Sequence, residues 1–299
     1  MGVIKNSKCI LCGYEGEMKI KSFVEKRNII KCPNCEVQFM YPFPTDEEIN
    51  NIYSREYFSS WGIGEGETVE VADMKRNTFK HILNGIIPYV NNGNILDIGT
   101  ATGFLLEEAE KLGFNAYGIE ISEYASSIAK NKFGKEKIYN GTLETCSFKN
   151  NYFNLITMCD VIEHVKDPIS TMKVVNRLLN TTNSNGGGGY CMITTPNTNS
   201  LTAKLLKSKW HRYMLEHLVY FNKNSMEKLA ELTGFKVIKS YPCVKIVNLN
   251  FLYSIAKDYK QFLISQAVTV LHLIPFIKKI NFPILMGELT YILKKTEDK

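Results

Sequence analysis

The chain has 299 residues, of which 44% are hydrophobic, and carries a formal net charge of +6 from 36 basic and 30 acidic residues. This composition excludes a disordered or collagen-like chain and suits one main domain with a smaller appendage. The basic residues are spread fairly evenly, with modest clusters only at 130–137 and 204–212, so a nucleic-acid partner is not expected.

Segments that would direct the chain to a membrane are not evident in the sequence. Residues 1–8 lack the apolar stretch of a secretory signal, and no uncharged apolar run approaches the roughly 18 residues of a spanning helix. We therefore expect a cytoplasmic protein without a transmembrane segment. In that reducing compartment, closely spaced cysteines indicate a metal site and scattered ones are usually buried.

Four of the eight cysteines form two close pairs, Cys9 with Cys12 and Cys32 with Cys35. Two C-x2-C pairs separated by nineteen residues are typical of a zinc ribbon, in which four thiolates hold one tetrahedral ion. Because four thiolates leave no ligand position for water, we predict a structural Zn²⁺ site in a ribbon spanning 1–44. A redox dithiol is the alternative.

The most informative segment is a predicted strand, glycine turn, helix and strand between 95 and 120. Asp97 lies in the first strand, Gly99 and Gly103 bracket the turn, and Glu120 ends the second strand. Glycine lets a ligand approach the backbone, and the helix presents free N–H groups at its positive end. A carboxylate about twenty residues beyond such a turn can accept both hydroxyls of a ribose. The pattern favours a nucleotide-like ligand over an ordinary βαβ turn.

Strands alternate with helices from 95 to 195, which predicts an α/β fold with a parallel sheet and helices on both faces. Ligands of such sheets bind at the carboxyl ends of the strands. The predicted strand ends place Gly99, Glu120, residues 142–144 and Asp160 around one crevice.

The sequence D-I-G-T-A-T-G from Asp97 to Gly103 resembles the D-x-G-x-G-x-G first motif of class I S-adenosylmethionine-dependent methyltransferases. Its central glycine is Ala101 here, whose methyl group could crowd the cofactor. The resemblance covers nearly the whole chain. It implies S-adenosylmethionine as the cofactor and a Rossmann-like, seven-stranded sheet over 91–299, closed by an antiparallel strand at 287–293.

The resemblance also assigns residues to the cofactor. It implies that Leu143 contacts the adenine beside Glu144, and that Asp160 faces the methionine end. It further implies a helical lid or linker over 45–90 in which Tyr57 covers the cofactor, although core packing explains this tyrosine equally well. The cofactor-binding residues predicted in this way are Asp97, Gly99, Ala101, Gly103, Glu120, Ile121, Leu143, Glu144, Asp160 and Tyr57.

The fourth predicted strand ends in a segment that contains Asp160, Glu163 and His164. Histidine titrates near neutrality, so His164 is a candidate base for removing a hydroxyl proton during methyl transfer, with Glu163 as a further catalytic candidate. The alternative is that both only cap and orient the turn. The segment is similar to the E-x-x-E-H segment of ubiquinone-pathway O-methyltransferases, which in some members holds a divalent ion. This implies Asp160, Glu163 and His164 as ligands of Mg²⁺, but aspartate replaces the first glutamate and leaves metal dependence open.

A second candidate base is His217, in the sequence E-H-L-V-Y-F at 216–221. The pattern E-H-L-x-Y-F, followed by a helix and G-F, resembles the last third of many small-molecule and sugar methyltransferases. The resemblance therefore favours a small molecule or sugar as substrate, such as a nucleotide sugar, a glycan or a natural-product intermediate.

The stretch at about 247–280 is strongly apolar and aromatic but is interrupted by charged residues. We predict a helical insertion that covers the active site or pairs two subunits in a homodimer, in preference to a surface that attaches to a membrane. Together the features predict an enzyme, an S-adenosylmethionine-dependent methyltransferase that O-methylates a small molecule or sugar. The alternatives are an RNA methyltransferase and a non-catalytic S-adenosylmethionine-binding protein.

Overall fold

A computed structural model describes most of the chain. The described residues are 2–45, 47–49, 68–181, 189–258 and 280–296. Tyr57 and the aromatic residues around it lie outside them, as does most of the predicted insertion at 247–280.

The N-terminal residues form a small antiparallel sheet around the paired cysteines. Its strands are β1 (Val3–Lys8), β2 (Glu15–Val24), β3 (Arg27–Lys31) and β4 (Gln38–Tyr41). β2 alternates buried and exposed side chains along most of its length, the pattern of a strand with one face on a core and the other in water.

The main domain supplies eight further strands. They are β5 (Gly93–Ile98), β6 (Phe114–Glu120), β7 (Ile138–Asn140), β8 (Leu155–Cys159), β9 (Tyr190–Pro196), β10 (Val219–Tyr220), β11 (Phe235–Val247) and β12 (Phe282–Lys295). Seven of them form one sheet in the order β11-β12-β9-β8-β5-β6-β7. The five strands from β9 to β7 are parallel, whereas β12 is antiparallel to both of its neighbours.

Helices cover this sheet. They are α1 (Val69–Asn84), α2 (Phe104–Lys111), α3 (Glu123–Phe133), α4 (Pro168–Leu178), α5 (Leu201–Leu206), α6 (Lys223–Leu232) and α7 (Leu249–Asp258). The central strands β5, β8 and β9 are buried on both faces, as expected for strands with helices on either side. The predicted α/β fold with a seven-stranded sheet is confirmed.

The antiparallel strand β12 brings a distant residue to the functional edge of the sheet. Glu288 lies opposite Pro196, where β9 ends. The strand is longer than the predicted 287–293, and its neighbour β11 is almost as long. These long strands carry side chains from the C-terminal part of the chain toward the carboxyl edge of the parallel strands.

The ribbon and the main domain contribute strands to one sheet and side chains to one core. β10, which belongs to the main-domain sequence, is the fifth strand of the ribbon sheet, in the order β1-β2-β3-β4-β10. Buried apolar residues of both parts form one continuous core cluster. Among the residues that the structure describes, no helix is long and apolar enough to cross a membrane.

Candidate active site

A cavity of about 650 Å³ opens at the carboxyl edge of the large sheet. This volume suits a small-molecule or cofactor site. Ten predicted site residues line it: Gly99, Ala101, Glu120, Ile121, Leu143, Glu144, Asp160, Glu163, His164 and His217. Asp97 and Gly103 are not among the lining residues, and Tyr57 lies outside the described residues.

The glycine turn is held tightly against strand β6. The backbone N–H groups of Gly99 and Thr100 both donate to the carbonyl oxygen of Ile119, at 2.9 and 3.0 Å. Gly99 has a φ of 75°, and a Cβ atom at this position would lie 2.6 Å from Cγ2 of Val161. Gly103 has a φ of 92° and begins helix α2. Both positions therefore require glycine for conformation and for space.

Ala101 adopts the left-handed backbone that a glycine would adopt at the centre of the motif, with a φ of 49°. Its N–H donates to Oε2 of Glu120 at 2.8 Å, and the residue lines the cavity. The turn thus forms with alanine in place of glycine, at a cost of about 1 kcal/mol for a left-handed alanine.

Glu120 is buried at the end of β6, between two backbone donors. Oε2 accepts the N–H of Ala101, and Oε1 accepts the N–H of Ser122 at 2.8 Å. Burial raises the pKa of the carboxyl group, and the two N–H groups oppose that shift. Each carboxylate oxygen can accept more than one hydrogen bond. The residue can therefore hold the turn and still accept hydroxyl groups of a ligand in the cavity.

Asp97 lies in β5, two residues before Gly99 of the turn. Its Oδ1 accepts the hydroxyl of Thr157 at 2.6 Å, and its side chain is buried. Burial raises the pKa of this carboxyl to about 7. Since the side chain does not line the cavity, its position fits a supporting role better than the direct ligand contact that the sequence predicts.

The residues predicted to lie beside the adenine, Leu143 and Glu144, belong to a short 3₁₀ helix, Leu143–Thr145. Leu143 is buried and lines the cavity, so it can pack against the face of a flat ring. The Oε1 atom of Glu144 accepts the hydroxyl of Thr171 at 3.2 Å. Ile121 is more than half exposed at the cavity wall.

The two candidate bases lie next to each other. The rings of His164 and His217 are 4.8 Å apart between centroids and nearly perpendicular, at 85°. Nδ1 of His164 is 2.9 Å from the carbonyl oxygen of Glu216, and Nδ1 of His217 is 3.0 Å from that of Arg212. A carbonyl oxygen can only accept, so each Nδ1 carries the hydrogen and each Nε2 keeps a lone pair in the neutral ring.

Burial keeps both rings uncharged. It lowers the pKa of His164 to about 4. It also lowers the pKa of His217 well below its usual value, and the neighbouring His164 adds to this shift. Near neutral pH the cavity therefore contains two neutral imidazoles, each with an Nε2 atom able to take a proton.

Glu163 behaves differently from the predicted catalytic carboxylate. Its Oε2 accepts the hydroxyl of Thr195 at 3.0 Å, and its side chain is buried. Burial first, and the charge of Asp160 second, raise its pKa to about 8. The group is therefore mainly protonated at neutral pH and is a poor base there.

Asp160 belongs to a chain of alternating charges. Its Oδ2 lies 2.6 Å from Nζ of Lys245, which lies 3.0 Å from Oε2 of Glu288. Glu288 also pairs with Arg212. Burial opposes ionisation of Asp160, but the nearby ammonium of Lys245 outweighs it and lowers the pKa of the carboxyl. The same two carboxylates raise the pKa of Lys245 against the effect of burial.

These contacts change the predicted metal set. The ligand atoms of Glu163, His164 and His217 all lie within 4.8 Å of one another, whereas Asp160 is paired with Lys245. Mg²⁺ prefers oxygen ligands, so a set with two imidazoles does not suit it. The predicted Mg²⁺ site of Asp160, Glu163 and His164 has no support.

Four charged residues of the cavity wall were not among the site residues predicted from the sequence. Lys245, Glu288, Arg212 and Lys75 come from β11, β12, a loop and α1, and no local motif connects them. The pKa of Lys75 is lowered to about 8, chiefly by burial and then by the charge of Lys245. Only the fold brings these side chains together.

The four ribbon cysteines form a second candidate site, away from the cavity. The sulfur atoms of Cys9 and Cys35 are 3.6 Å apart, as are those of Cys12 and Cys32, and all four lie within 4.8 Å of one another. Tetrahedral zinc with Zn–S bonds of about 2.3 Å requires sulfur separations of about 3.8 Å. The set fits Zn²⁺ with four thiolate ligands.

We expect the variant Gly103→Ala to lower the free energy of unfolding by more than about 1 kcal/mol, because alanine at a φ of 92° is strained and its Cβ would collide with the ring of Phe133. The matched change Ala101→Gly relieves a left-handed alanine in the same turn and should not destabilise. Urea unfolding followed by fluorescence measures both. Equal losses would contradict this account of the turn.

The His164 ring should make stability depend on pH. Its pKa is about 4 in the folded protein against an ordinary value of 6.5, so the unfolded chain binds more protons between these values. Stability is then present above pH 6.5 and is lost as the pH falls toward 4. Thermal unfolding across this range should show a smaller loss in His164→Gln than in the unmodified protein. Parallel curves would show that His164 does not have this lowered pKa.

Part of the chain is similar in sequence to known proteins. A family model described as a methyltransferase domain matches residues 75–240. The ubiquinone biosynthesis O-methyltransferase of Nitrosomonas europaea is 26% identical over 138 residues, which are 44% of this chain and 53% of that protein. The chain thus spans about half the length of this relative.

Solved structures share the fold. A chain from the complex between the Haloferax volcanii Trm112 methyltransferase activator and a methyltransferase is 14% identical, with a TM-score of 0.56 over 82% of this chain and 100% of that one. Phosphoethanolamine N-methyltransferase 2 of Haemonchus contortus, solved with S-adenosyl-L-methionine, is 16% identical, with a TM-score of 0.51 over 87% of this chain and 62% of that one. At these identities the likeness shows the fold alone.

The family match includes the glycine turn, the acid that ends β6 and the segment with both candidate bases, and it covers more than half of the residues. The chain belongs to the class I S-adenosylmethionine-dependent methyltransferases.

Proposed function

We propose that the chain transfers a methyl group from S-adenosylmethionine to a hydroxyl oxygen of a small molecule or sugar. One observation carries this proposal: the imidazoles of His164 and His217, kept neutral by burial and 4.8 Å apart between ring centroids, line the same cavity as the glycine turn and Glu120. A cofactor bound at the turn would thus have two proton acceptors within the same enclosed space.

The residues present fit the cofactor. Glu120 has acceptor capacity toward the cavity for ribose hydroxyls, and Leu143 offers an apolar surface for the adenine. The turn at Gly99 allows close approach of the ligand to the backbone. When bound, S-adenosylmethionine supplies an electrophilic methyl group on a sulfonium sulfur.

The histidine pair would complete the reaction. The acceptor oxygen would take the methyl group in place of its hydroxyl proton, and His164 or His217 would accept that proton at Nε2. The pair then carries one positive charge, and S-adenosylhomocysteine is the second product. Glu163 is mainly protonated at neutral pH, so we assign it to hold the 3₁₀ turn of Ile162–His164 against Thr195.

The cavity walls support a small acceptor. Beyond the charged residues, apolar side chains including Phe79, Val247, Phe251 and Met286 line it. A hydroxyl group on an apolar or aromatic body would bury well here. The O-methyltransferase of Nitrosomonas europaea, named for ubiquinone biosynthesis, supports oxygen as the methylated atom.

We propose a zinc ribbon at 1–44, a helical lid or linker at 45–90, and a methyltransferase domain at 91–299 with an apolar helical insertion at about 247–280. The cytoplasmic location and the homodimer stay predictions.

The central test compares cofactor binding with methyl transfer. We expect His164→Gln and His217→Gln each to lower kcat by about 10²-fold or more, because removal of a general base typically costs that much. Binding of S-adenosylmethionine, measured by calorimetry, should stay near that of the unmodified protein. The exposed His81, outside the cavity, supplies the control variant His81→Gln, which should keep full activity.

Pools of hydroxylated metabolites, nucleotide sugars and RNA, assayed with methyl-labelled S-adenosylmethionine, distinguish the other functions. Label in RNA alone would favour an RNA methyltransferase. Tight cofactor binding without transfer to any pool would favour a non-catalytic binding protein. Full activity in both histidine variants would contradict the proposed base.

A further inference from the structure

We propose that the four-cysteine ribbon positions the acceptor side of the active site, because its strand β4 aligns β10 and thereby sets His217 against His164. The ribbon would then act on methyl transfer and leave cofactor binding intact. This inference concerns a link between two sites, and its kinetic part rests on the proposed function.

The first link is strand pairing between the ribbon and the main domain. Val219 lies opposite Phe39, and Tyr220 lies opposite Gln38, in antiparallel register. The N–H of Met40 also donates to the carbonyl oxygen of Leu218 at 2.9 Å. β10 has only two residues, so its direction depends strongly on the strand beside it.

The second link connects β10 to the candidate bases. The N–H of Leu218 donates to the carbonyl oxygen of Glu163 at 2.7 Å. His217 precedes Leu218, and His164 follows Glu163, so this single hydrogen bond joins the backbones that carry the two imidazoles. A shift of β10 would move His217 relative to His164.

Side chains strengthen the contact next to His217. The hydroxyl of Tyr213 donates to Oε1 of Gln38 at 2.7 Å, and the hydroxyl of Ser22 donates to the carbonyl oxygen of Ser208 at 2.6 Å. Both hydrogen bonds join the ribbon to the 207–217 loop. The carboxylate of Glu36 additionally accepts from the side-chain amide of Asn222, beyond β10, at 3.1 Å.

Two of the four candidate zinc ligands, Cys32 and Cys35, lie between β3 and β4. The N–H of Cys32 donates to the carbonyl oxygen of Val37 at 3.0 Å, and Gln38 begins the strand. A sheet of this size has little core of its own, and zinc bound by four thiolates contributes its binding free energy to folding. Loss of the metal should therefore loosen β4 before it loosens the large sheet.

The cofactor side is held by other bonds. Gly99 and Thr100 donate to Ile119, and Ala101 donates to Glu120, all between β6 and the turn. These hydrogen bonds lie within the main domain and do not involve the ribbon. Removal of the metal should therefore affect the acceptor side of the cavity and leave the cofactor side unchanged.

The experiment uses the full chain with and without zinc, which is removed by a chelator and counted by a metal-sensitive dye. Hydrogen exchange read by mass spectrometry follows the backbone amides. We expect amides of Met40 and Leu218 to lose protection on zinc removal, while those of Gly99 and Thr100 keep it. Calorimetric binding of S-adenosylmethionine should change by less than about twofold, and kcat/KM for the acceptor should fall by about tenfold or more.

A second variant tests the link with the metal still bound. Tyr213→Phe removes the hydrogen bond to Gln38 and should speed exchange at Leu218 and lower kcat/KM, with zinc content unchanged. The matched control is Tyr41→Phe, an exposed tyrosine at the end of the same ribbon strand.

Two results would overturn the proposal. Unchanged exchange at Leu218 after zinc removal would show that the ribbon does not align β10. Simultaneous loss of protection at Gly99 and of cofactor binding would show that the ribbon supports the whole fold instead. Exchange and cofactor binding need no acceptor, so failure to find a methylated substrate would count against the proposed function alone.

Discussion

The backbone of Leu218 joins the ribbon to the main domain of this protein. The carbonyl of Leu218 accepts from the ribbon at Met40, and its N–H donates to the main domain at Glu163. Through these bonds the ribbon sheet, the 207–217 loop and the carboxyl edge of the large sheet meet at one place. Because buried peptide groups must be paired, this crossing leaves the segment after His217 little freedom of position. The geometry of the cavity wall depends on it.

The ionisable side chains of the cavity fall into two groups: neutral imidazoles and charged ion pairs. Burial lowers the pKa values of His164 and His217 by more than the charge of Asp160 raises them, so both imidazoles are neutral near neutral pH. Asp160 and Glu288 lie against Lys245 instead, and this pairing stabilises their charged forms. The alternating ion pairs therefore form a charged part of the cavity wall, beside the two neutral rings that the proposed chemistry uses.

Local patterns in the sequence identified much of this arrangement. The glycine turn and the paired cysteines act through residues close in the chain, so spacing alone indicates the turn with Glu120 and a set of thiolates with zinc-like geometry. The charge chain through Lys245 and Glu288 could not be predicted, because it depends on the register of two long antiparallel strands. The perturbed protonation of Glu163 also depends on burial, which no motif encodes. Asp97 shows the limit of motif transfer: the residue is where the pattern expects it, yet it lies behind the turn and not in the cavity.

The near-perpendicular imidazoles, 4.8 Å apart between ring centroids, also set how many protons the site can store. Each neutral ring already carries a proton on Nδ1. A charge on one ring strongly disfavours a charge on its neighbour, so the pair can take up one additional proton and not two. Each turnover of the proposed reaction transfers one proton to the pair, and the pair can then accept no further proton. The pair must therefore return this proton to solvent before it can serve as the base for another acceptor.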